Sequence, residues 1–276
     1  MNAELLLMFT LGCDRAYLFA HSDRELSSEE ELRYESALSE RARGVPAQYI
    51  TGHQEFWGMD LIVTPAVLIP RPETEHLIEA VLELAAGGGG EAPAARGSAL
   101  QGPSLRTVDA GTGSGCIALS LAKELPGAEI HATDNSAAAL EIARANAARH
   151  QLAGRIQFHH TDLLQGLAGK FDLVVSNPPY VGESEEDQVQ LEVRRFEPRD
   201  AVFAGPTGTE VIARLILQAH EALRSGGWLV MEISGTIADQ VREMLKGWDS
   251  VHIRPDLQSI PRVAIARKPD LPERGS

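Results

Sequence analysis

The sequence predicts an α/β fold in which a mostly parallel sheet is wrapped by helices. Strand-like and helix-like segments alternate from residue 105 onward, and such alternation is typical of parallel sheets. A Gly-rich segment joins the first of these strands to the helix that follows it. The last two strand-like runs, "SVHIRPD" and "RVAIARK", lie too close together for a helical crossover, so an antiparallel pair is expected at one edge of the sheet.

Length and charge limit the classes of function. The chain has 276 residues, of which 43% are hydrophobic, enough for one large α/β domain or for a domain with a smaller partner. Its 39 acidic side chains outnumber 25 basic ones, which gives a formal net charge of -14. This charge works against broad binding to phosphate backbones, so stable nucleic-acid binding is not expected.

The cysteines and the apolar segments exclude further classes. Cys13 and Cys116 are far apart and lack His or Cys neighbours at metal spacing, so neither a disulfide framework nor a metal site is predicted. A reducing cytoplasm is the expected location. The apolar run "LLLMFTLGC" is far too short to span a bilayer and is expected to lie in a helix core, so no membrane association is predicted.

Two smaller regions precede the α/β domain. Apolar residues at near-helical spacing predict short helices over residues 1–43, and one of these begins at Ser27 or Ser28 as its N-cap and ends at Gly44. The segment "QEFWGMDLIVTPAVLIP" predicts a β-hairpin that turns at Gly58. The predicted boundaries are 1–50 for the helical region, 51–76 for the hairpin and linker, and 77–276 for the α/β domain.

The α/β domain contains one insertion. Residues 87–104, "GGGGEAPAARGSALQGPS", are rich in Gly, Ala, Pro and Ser and predict a flexible surface segment. The elements after it are predicted in this order: "LRTVDA", helix 116–125, "AEIHATD", helix 136–149, "RIQFHHTD", "FDLVVSN", helix 209–224, "GWLVMEIS", helix 237–246, "SVHIRPD" and "RVAIARK". Seven strands with an antiparallel ending resemble the Rossmann-like methyltransferase fold.

A glycine loop follows the first strand of this domain. Gly111, Gly113 and Gly115 lie in "TVDAGTGSGCIALSLA", between a strand and a helix, where missing side chains let the backbone approach a ligand. The loop is interpreted as a nucleotide-type cradle, and a purely structural turn is the alternative. Cys116 stands where G-x-G-x-x-G has its third glycine, so pyrophosphate binding is less expected.

Acidic residues lie at the carboxyl ends of the neighbouring strands. Asp134 ends the second strand, where an acidic residue accepts hydrogen bonds from ribose hydroxyls; the alternative is an N-cap for the helix near Ser136. Asp109 precedes the glycines and is expected to organise the loop or to attract a cationic part of the ligand. Asp162 and Leu163 follow the third strand, where the adenine of a bound adenosine is expected. The two histidines before Asp162 are interpreted as ordinary strand residues.

The segment "FDLVVSNPPYVGE" runs an apolar strand into a polar turn. Pro178 and Pro179 have no N–H and a fixed φ, so the turn presents acceptors without a competing donor. An NH2 group of a substrate would donate to the side-chain oxygen of Asn177 and to the carbonyl of Pro178, while Tyr180 packs on its planar face. This geometry would hold a planar amide or aromatic amine near the electrophilic methyl of a sulfonium. An ordinary Asn-Pro turn is the alternative.

Three motifs together carry a family resemblance. "DAGTGSG", "NPPY" and "PAQYITGHQEFWG…VLIPRPETE" resemble the HemK/PrmC family, protein-(glutamine-N5) methyltransferases that modify peptide chain release factors. The resemblance covers nearly the whole chain. It implies S-adenosylmethionine as donor, the glutamine of the release-factor Gly-Gly-Gln loop as acceptor, and binding of the release factor by the helical region. Family members usually carry more helix before "NAELLL", so either part of that region is missing or the domain is shorter in this chain.

The resemblance also implies a role for each site residue. Arg71 and Glu73 would lie near the mouth of the site, or would form an Arg–Glu pair in a rigid linker. The methionine portion of the cofactor would be bound by Gly111, Thr112, Gly113, Ser114 and Gly115, its ribose by Asp134, and its adenine by Asp162 and Leu163. The substrate glutamine would be bound by Asn177, Pro178, Pro179 and Tyr180. Of these, Asn177 would also face the cofactor, and Asn177, Pro178 and Tyr180 would serve catalysis.

Two other functions share part of these motifs. "NPPY" alone also resembles methyltransferases that act on the exocyclic amines of nucleic acids, adenine N6 or guanine N2, but those enzymes need a basic recognition surface that this acidic chain does not suggest. A nonenzymatic sensor of adenosine ligands could be built on the same fold. The combination of "IPRPETE" with the N-terminal helices favours the release-factor enzyme.

Overall fold

A computed structural model of the protein describes residues 2–87 and 105–270. The predicted insertion at 87–104 lies outside the described residues except for Gly87, so its flexibility stays a prediction. Within the described ranges, no helix is both long enough and apolar enough to cross a membrane.

The N-terminal region is helical, as its apolar spacing predicts. Ser27 is the N-cap of the longest helix there: its hydroxyl accepts from the backbone N–H of Glu30, whose carboxylate accepts from the N–H of Ser27. This reciprocal pair satisfies two donors that the helix start would leave free. The helix ends two residues before Gly44. The helices of this region are α1 (Asn2–Leu11), α2 (Arg15–Ala20), α3 (Ser28–Ala42) and α4 (Ala47–Thr51).

The predicted hairpin is present. Strands β1 (His53–Phe56) and β2 (Met59–Ile62) pair antiparallel, with Phe56 opposite Met59. The two turn residues, Trp57 and Gly58, have φ values of 52° and 65°, as a two-residue hairpin turn with both residues in the left-handed region requires. A 3₁₀ turn at Pro72–Thr74 then leads into helix α5 (Glu75–Ala85).

A seven-stranded sheet forms the centre of the domain, and its strands match the predicted ones. Four neighbouring pairs in the body of the sheet are parallel, and the last two strands form the antiparallel pair predicted at one edge. The last strand also pairs antiparallel with the fifth. The strands are β3 (Arg106–Ala110), β4 (Glu129–Asp134), β5 (Ile156–His160), β6 (Phe171–Ser176), β9 (Leu223–Glu232), β10 (Asp249–Pro255) and β11 (Pro261–Arg267).

The order of the strands places a crevice between β3 and β6. Across the sheet the order is β10-β11-β9-β6-β3-β4-β5. The chain builds outward from β3 through β4 to β5 and then returns to the other side of β3 as β6. Loops after β3 and β6 therefore leave the sheet on opposite sides, and ligands of open α/β sheets bind at such a switch point.

Helices cover both faces of the sheet. All six residues of β6 are buried, as expected for a central strand covered on both faces. One apolar cluster packs α5 and two later helices against one face, and a second cluster packs two further helices against the other. The later helices are α6 (Cys116–Glu124), α7 (Ala137–Arg149), α10 (Glu210–Ala222) and α11 (Ala238–Met244), each within a few residues of its predicted bounds.

The stretch between β6 and α10 contains elements that sequence patterns did not predict. A two-stranded parallel sheet forms there, and short helical segments separate its strands. None of these elements exceeds six residues, too short to show a strand or helix period. They are β7 (Val181–Gly182), a 3₁₀ helix (Glu183–Gln188), α8 (Leu191–Phe196), α9 (Arg199–Val202) and β8 (Phe203–Gly205).

Asn146 of α7 connects the hairpin to the glycine loop. It is fully buried, and its amide nitrogen donates to the carbonyls of Ile62 at 3.0 Å and Ser114 at 2.9 Å. Its amide oxygen accepts from the backbone N–H of Ile62 at 2.7 Å. A single buried side chain thus satisfies backbone groups of two separate segments.

Replacing Asn146 with Ala should reduce the free energy of unfolding by about 2–4 kcal/mol, because three backbone groups lose the partner that this fully buried side chain supplies. Urea unfolding followed by circular dichroism measures this loss. Glu141→Ala, at an exposed position of the same helix, is the matched control and should change stability by less than about 0.5 kcal/mol. Equal stability of Asn146→Ala and the control would contradict the structural role of Asn146.

Candidate functional site

A cavity of about 320 Å³ opens at the carboxyl ends of the central strands. The linker before α5 and the segment around α9 close its sides. Of the residues singled out from the sequence, these line it: Arg71, Gly111, Thr112, Gly113, Ser114, Asp134, Asp162, Leu163, Asn177 and Pro179. Gly115, Pro178 and Tyr180 lie next to lining residues and are not part of its wall. Among the described residues, no group of three His, Cys, Asp or Glu side chains could hold a metal ion.

The three glycines of the loop have two different reasons to be glycine. Gly111 and Gly113 line the cavity with φ values of 75° and 55°, and a Cβ on either would meet no protein atom within 4 Å. A side chain there would project into open space beside the cavity. Gly115, with φ of 86°, is enclosed instead: its Cβ would lie 2.6 Å from Cδ1 of Leu119 and 3.2 Å from Cβ of Ala143. Gly115 therefore allows the close packing of α6 against α7.

Asp109 organises the glycine loop from beneath. Its side chain is fully buried, and Oδ2 accepts from the hydroxyl of Thr112 at 2.6 Å and from the N–H of Ala118 at 3.1 Å. Burial raises the pKa of Asp109 to about 7, against the opposing effect of these two hydrogen bonds. Its other oxygen, Oδ1, has no partner among the described residues. Of the two predicted roles, the contacts bear out the first, organisation of the loop.

Asp134 holds the ends of two segments together. Its Oδ2 accepts from the N–H of Gly113 at 2.9 Å, and its Oδ1 accepts from the N–H of Ser136 at 2.9 Å. The N-cap of α7 is Ser136, which accepts from Ala139, so the alternative interpretation of Asp134 as that cap is wrong. Burial raises the pKa of Asp134 above its ordinary value. Each carboxylate oxygen keeps a lone pair for a further donor.

Asp162 and Leu163 lie on the other side of the cavity. The carboxylate of Asp162 forms an ion pair with Arg214 of α10 at 2.5 Å, and Arg214 also lines the cavity. Leu163 has a positive φ of 51° and is 8% exposed. A carboxylate acceptor and an apolar side chain thus stand side by side, which suits the edge and the face of an adenine ring.

The turn after β6 is held by a chain of side-chain hydrogen bonds. Nδ2 of Asn177 donates to Oγ1 of Thr74 at 3.0 Å, and that hydroxyl donates to Oε2 of Glu232 at 2.7 Å. The hydroxyl of Tyr180 donates to Oε1 of Glu232 at 3.1 Å. Burial raises the pKa of Glu232, and its two hydrogen bonds and the charge of Arg262 oppose the rise. Thr74 and Glu232 were not singled out from the sequence.

A further buried carboxylate, Glu197, directly precedes the residues that line the mouth of the cavity. Glu197 accepts from Arg71 at 2.5 Å and from the N–H of Ile69 at 3.2 Å. Arg71 lines the cavity, as predicted for the mouth of the site. Its ion pair is with Glu197, so the alternative of an Arg71–Glu73 pair in the linker is wrong, and Glu73 is exposed and is not among the lining residues. Residues 198–201 of the α9 segment also line the mouth and were missed. His159 lies outside the cavity wall in β5, with Nε2 2.9 Å from Nδ1 of His131.

Comparisons with known proteins agree with this architecture. Residues 1–52 match the family model of the PrmC N-terminal domain, and residues 98–195 match that of the methyltransferase small domain. A protein named release factor glutamine methyltransferase from Koribacter versatilis is 52% identical over 271 residues, 98% of this chain and 91% of that protein. One of the same name from Rhodopirellula baltica is 36% identical over 274 residues, 97% and 89% of the two chains.

Solved structures add the fold alone. The crystal structure of the hMettl16 catalytic domain in complex with MAT2A 3'UTR hairpin 6 has a TM-score of 0.60 to this chain, with 18% identity and 94% of each chain covered. The seven-stranded methyltransferase fold predicted from the sequence is therefore confirmed. The RNA hairpin is bound by that protein and indicates nothing about what this chain binds.

The two kinds of glycine predict different effects of substitution by alanine. Gly113→Ala should weaken binding of the predicted cofactor by about tenfold or more, or ~1.4 kcal/mol, at a stability cost of about 1–2 kcal/mol for the positive φ. Gly115→Ala should reduce stability more, by about 2–4 kcal/mol, because it adds a steric clash to that strain. Calorimetry measures cofactor binding, and urea unfolding measures stability. Similar profiles for the two variants would refute the distinction.

Asp109→Asn should change how stability depends on pH. The native carboxyl has a pKa of about 7 against an ordinary 3.8, so between these values the native state keeps a proton that the unfolded state has lost. The unfolding free energy of the unmodified protein therefore falls as pH rises through this window, and the Asn variant lacks this contribution. Relative to the unmodified protein, the variant should gain on the order of 2 kcal/mol between about pH 5 and about pH 8. Urea unfolding of both proteins measures it, and a constant difference would contradict the raised pKa.

Proposed function

The chain belongs to the release factor glutamine methyltransferase family, and on that premise we propose that it transfers a methyl group from S-adenosylmethionine to N5 of the glutamine in the Gly-Gly-Gln motif of peptide chain release factors. The proposal depends on one observation above all. The glycine cradle and the amide of Asn177 line the same cavity, so a methyl donor on one side would face an acceptor nitrogen on the other.

The residues on the β3 side fit the cofactor. S-adenosylmethionine supplies an electrophilic methyl group on a sulfonium. Gly111 and Gly113 leave beside the cavity the space that a Cβ would fill, and Asp134 keeps lone pairs for ribose hydroxyls while it holds the loop. Oδ1 of Asp109, buried and without a partner among the described residues, is an acceptor beneath the same loop. We assign adenine recognition to Asp162 and Leu163.

The residues on the β6 side would orient the acceptor. Nδ2 of Asn177 donates a hydrogen bond to Thr74, which leaves Oδ1 to accept one hydrogen of the glutamine NH2. The carbonyl of Pro178 would accept the other hydrogen. Two acceptors fix the plane of the amide and place its nitrogen for in-line attack, so catalysis is by orientation. Tyr180, anchored through its hydroxyl to Glu232, would pack its ring on the amide.

The helical region would bind the release factor away from the reacting loop. Residues 1–52 match a domain model that belongs to this family. An ion pair between Arg41 and Glu192 at 2.7 Å joins α3 to α8, which shortly precedes the residues at the mouth of the cavity. The net charge of -14 suits a basic protein surface better than nucleic acid. We place the reaction in the cytoplasm, where a factor of translation would be met.

Mass spectrometry of the release factor tests the function. After incubation with this protein and S-adenosylmethionine, the peptide that contains the Gly-Gly-Gln loop should gain one methyl group, and fragmentation should place it on the glutamine. A release factor with that glutamine replaced by Glu is the control and should gain none. Methylation of rRNA or DNA without methylation of the release factor would overturn the proposal.

Asn177→Ala should lower the rate of methyl transfer by about two to four orders of magnitude, because the acceptor loses its orientation and a hydrogen bond made in the transition state. The dissociation constant of S-adenosylmethionine should stay within about threefold, since the glycine loop and Asp134 are untouched. Single-turnover kinetics with a release factor and calorimetry with the cofactor measure the two quantities. Unchanged turnover would contradict the role of Asn177.

A further inference from the structure

We propose that Thr74 is a positioning residue that fixes the side-chain amide of Asn177 with its oxygen toward the substrate, and that Glu232 fixes the direction of the Thr74 hydroxyl. This inference rests on the proposed function, because it concerns the acceptor side of the same site. Thr74 lies in the linker before α5, whereas Asn177, the residue that it orients, lies in the turn after β6.

The contacts form one directed chain. Nδ2 of Asn177 lies 3.0 Å from Oγ1 of Thr74, and Oγ1 lies 2.7 Å from Oε2 of Glu232. A hydroxyl has a single hydrogen to donate. Oε2 of Glu232 accepts that hydrogen, while Oε1 accepts the hydrogen of Tyr180. Oγ1 of Thr74 therefore offers only its lone pairs to Asn177, and the NH2 group of Asn177 must be the donor.

This direction excludes the flipped amide. If Asn177 turned by 180° about its last bond, Oδ1 would face the oxygen of Thr74, and neither atom could donate to the other. The NH2 group would then face the cavity, where it would oppose the NH2 of the substrate. The substrate amide needs a hydrogen-bond acceptor at this position, so the flipped rotamer would remove one of the two acceptors, Oδ1 of Asn177 and the carbonyl of Pro178, that orient its NH2 group.

The chain is anchored in rigid and buried parts of the fold. Thr74 and Glu232 are each 1% exposed. Glu232 ends β9 and stands opposite Val263 of β11 in the sheet, and its second oxygen accepts from Tyr180. The backbone N–H of Thr74 donates to the carbonyl of Arg71 at 3.0 Å. Thr74 and Glu232 are therefore held in place and cannot shift to form a new hydrogen bond if the amide of Asn177 turns.

Substitutions at Thr74 test the proposal. Thr74→Val keeps the shape and removes the hydroxyl; kcat for release-factor methylation should fall by about 10- to 100-fold, while KM for the release factor and the dissociation constant of the cofactor stay within about threefold. Thr74→Ser keeps the hydroxyl and should recover most of kcat. Thr107→Val is the matched control, because Thr107 is a fully buried threonine of β3 whose hydroxyl has no partner among the described residues; its kcat should be unchanged.

Two results with the single variants would overturn the proposal. One is a normal kcat for Thr74→Val, and the other is a loss in Thr74→Ser as large as that in Thr74→Val. A double variant separates positioning from general damage: with Asn177→Ala already present, Thr74→Val should lower single-turnover methylation by less than about twofold, because the residue it orients is gone. Losses that multiply in the double variant would also overturn it.

A spectroscopic measurement keeps the inference testable apart from the function. In ¹H–¹⁵N spectra of the cofactor-bound protein, the side-chain amide of Asn177, assigned with Asn177→Ala, should exchange its bonded hydrogen with solvent at least about tenfold more slowly than an exposed Asn amide. Thr74→Val should abolish this protection, and Thr107→Val should preserve it. Absent methylation of release factors would refute the proposed function, whereas an unprotected Asn177 amide in the unmodified protein would refute this inference.

Discussion

The parallel pairing of β3 with β6 is the constraint on which the whole site depends. Val108 stands opposite Val174 and Asp109 opposite Val175, and the hydroxyl of Ser176 donates to the carbonyl of Ala110 at 2.7 Å. The two strands therefore end together, and the loops that follow them leave from a common edge. The glycine loop and the Asn177 turn face one cavity because the backbone register leaves no other arrangement.

Buried carboxylates at strand ends turn this edge into a site of fixed geometry. Asp109 is the second-to-last residue of β3, and Asp134 and Glu232 are the last residues of β4 and β9. Each accepts hydrogen bonds that hold a neighbouring loop or turn. Burial raises the pKa of all three, so the fold accepts a cost in stability to keep acceptors in place. That cost is typical of sites where preorganisation matters more than maximal stability.

Local sequence patterns predicted the sheet, the flanking helices, the glycine loop and the Asn177 turn, because a strand or helix period and a Pro or Gly signal extend over a few neighbouring residues. They could not predict pairs that meet only after folding. Thr74 and Glu232 are separated by 158 positions, and Arg71 and Glu197 by 126. One signal was present: Glu232 interrupts the apolar run "WLVMEI", and a charge inside a buried strand indicates a partner. The roles of the site residues remain predictions that the experiments above decide.

The nature of the acceptor explains why the orientation of Asn177 should matter in this family. An amide nitrogen is a weak nucleophile, since its lone pair is delocalised into the carbonyl. Among the residues that the structure describes, those lining the cavity include no Lys or His that could serve as a base. Rate enhancement must then come from acceptors that polarise both N–H bonds at a fixed angle. Pro178 supplies one acceptor through its backbone, which cannot flip. Asn177 supplies the other acceptor through a side-chain amide that can flip. In the flipped orientation its NH2 group would face the NH2 group of the substrate, so two hydrogen-bond donors would oppose each other. A residue that locks this rotamer is therefore a requirement of amide methylation, and Thr74 is placed to meet it.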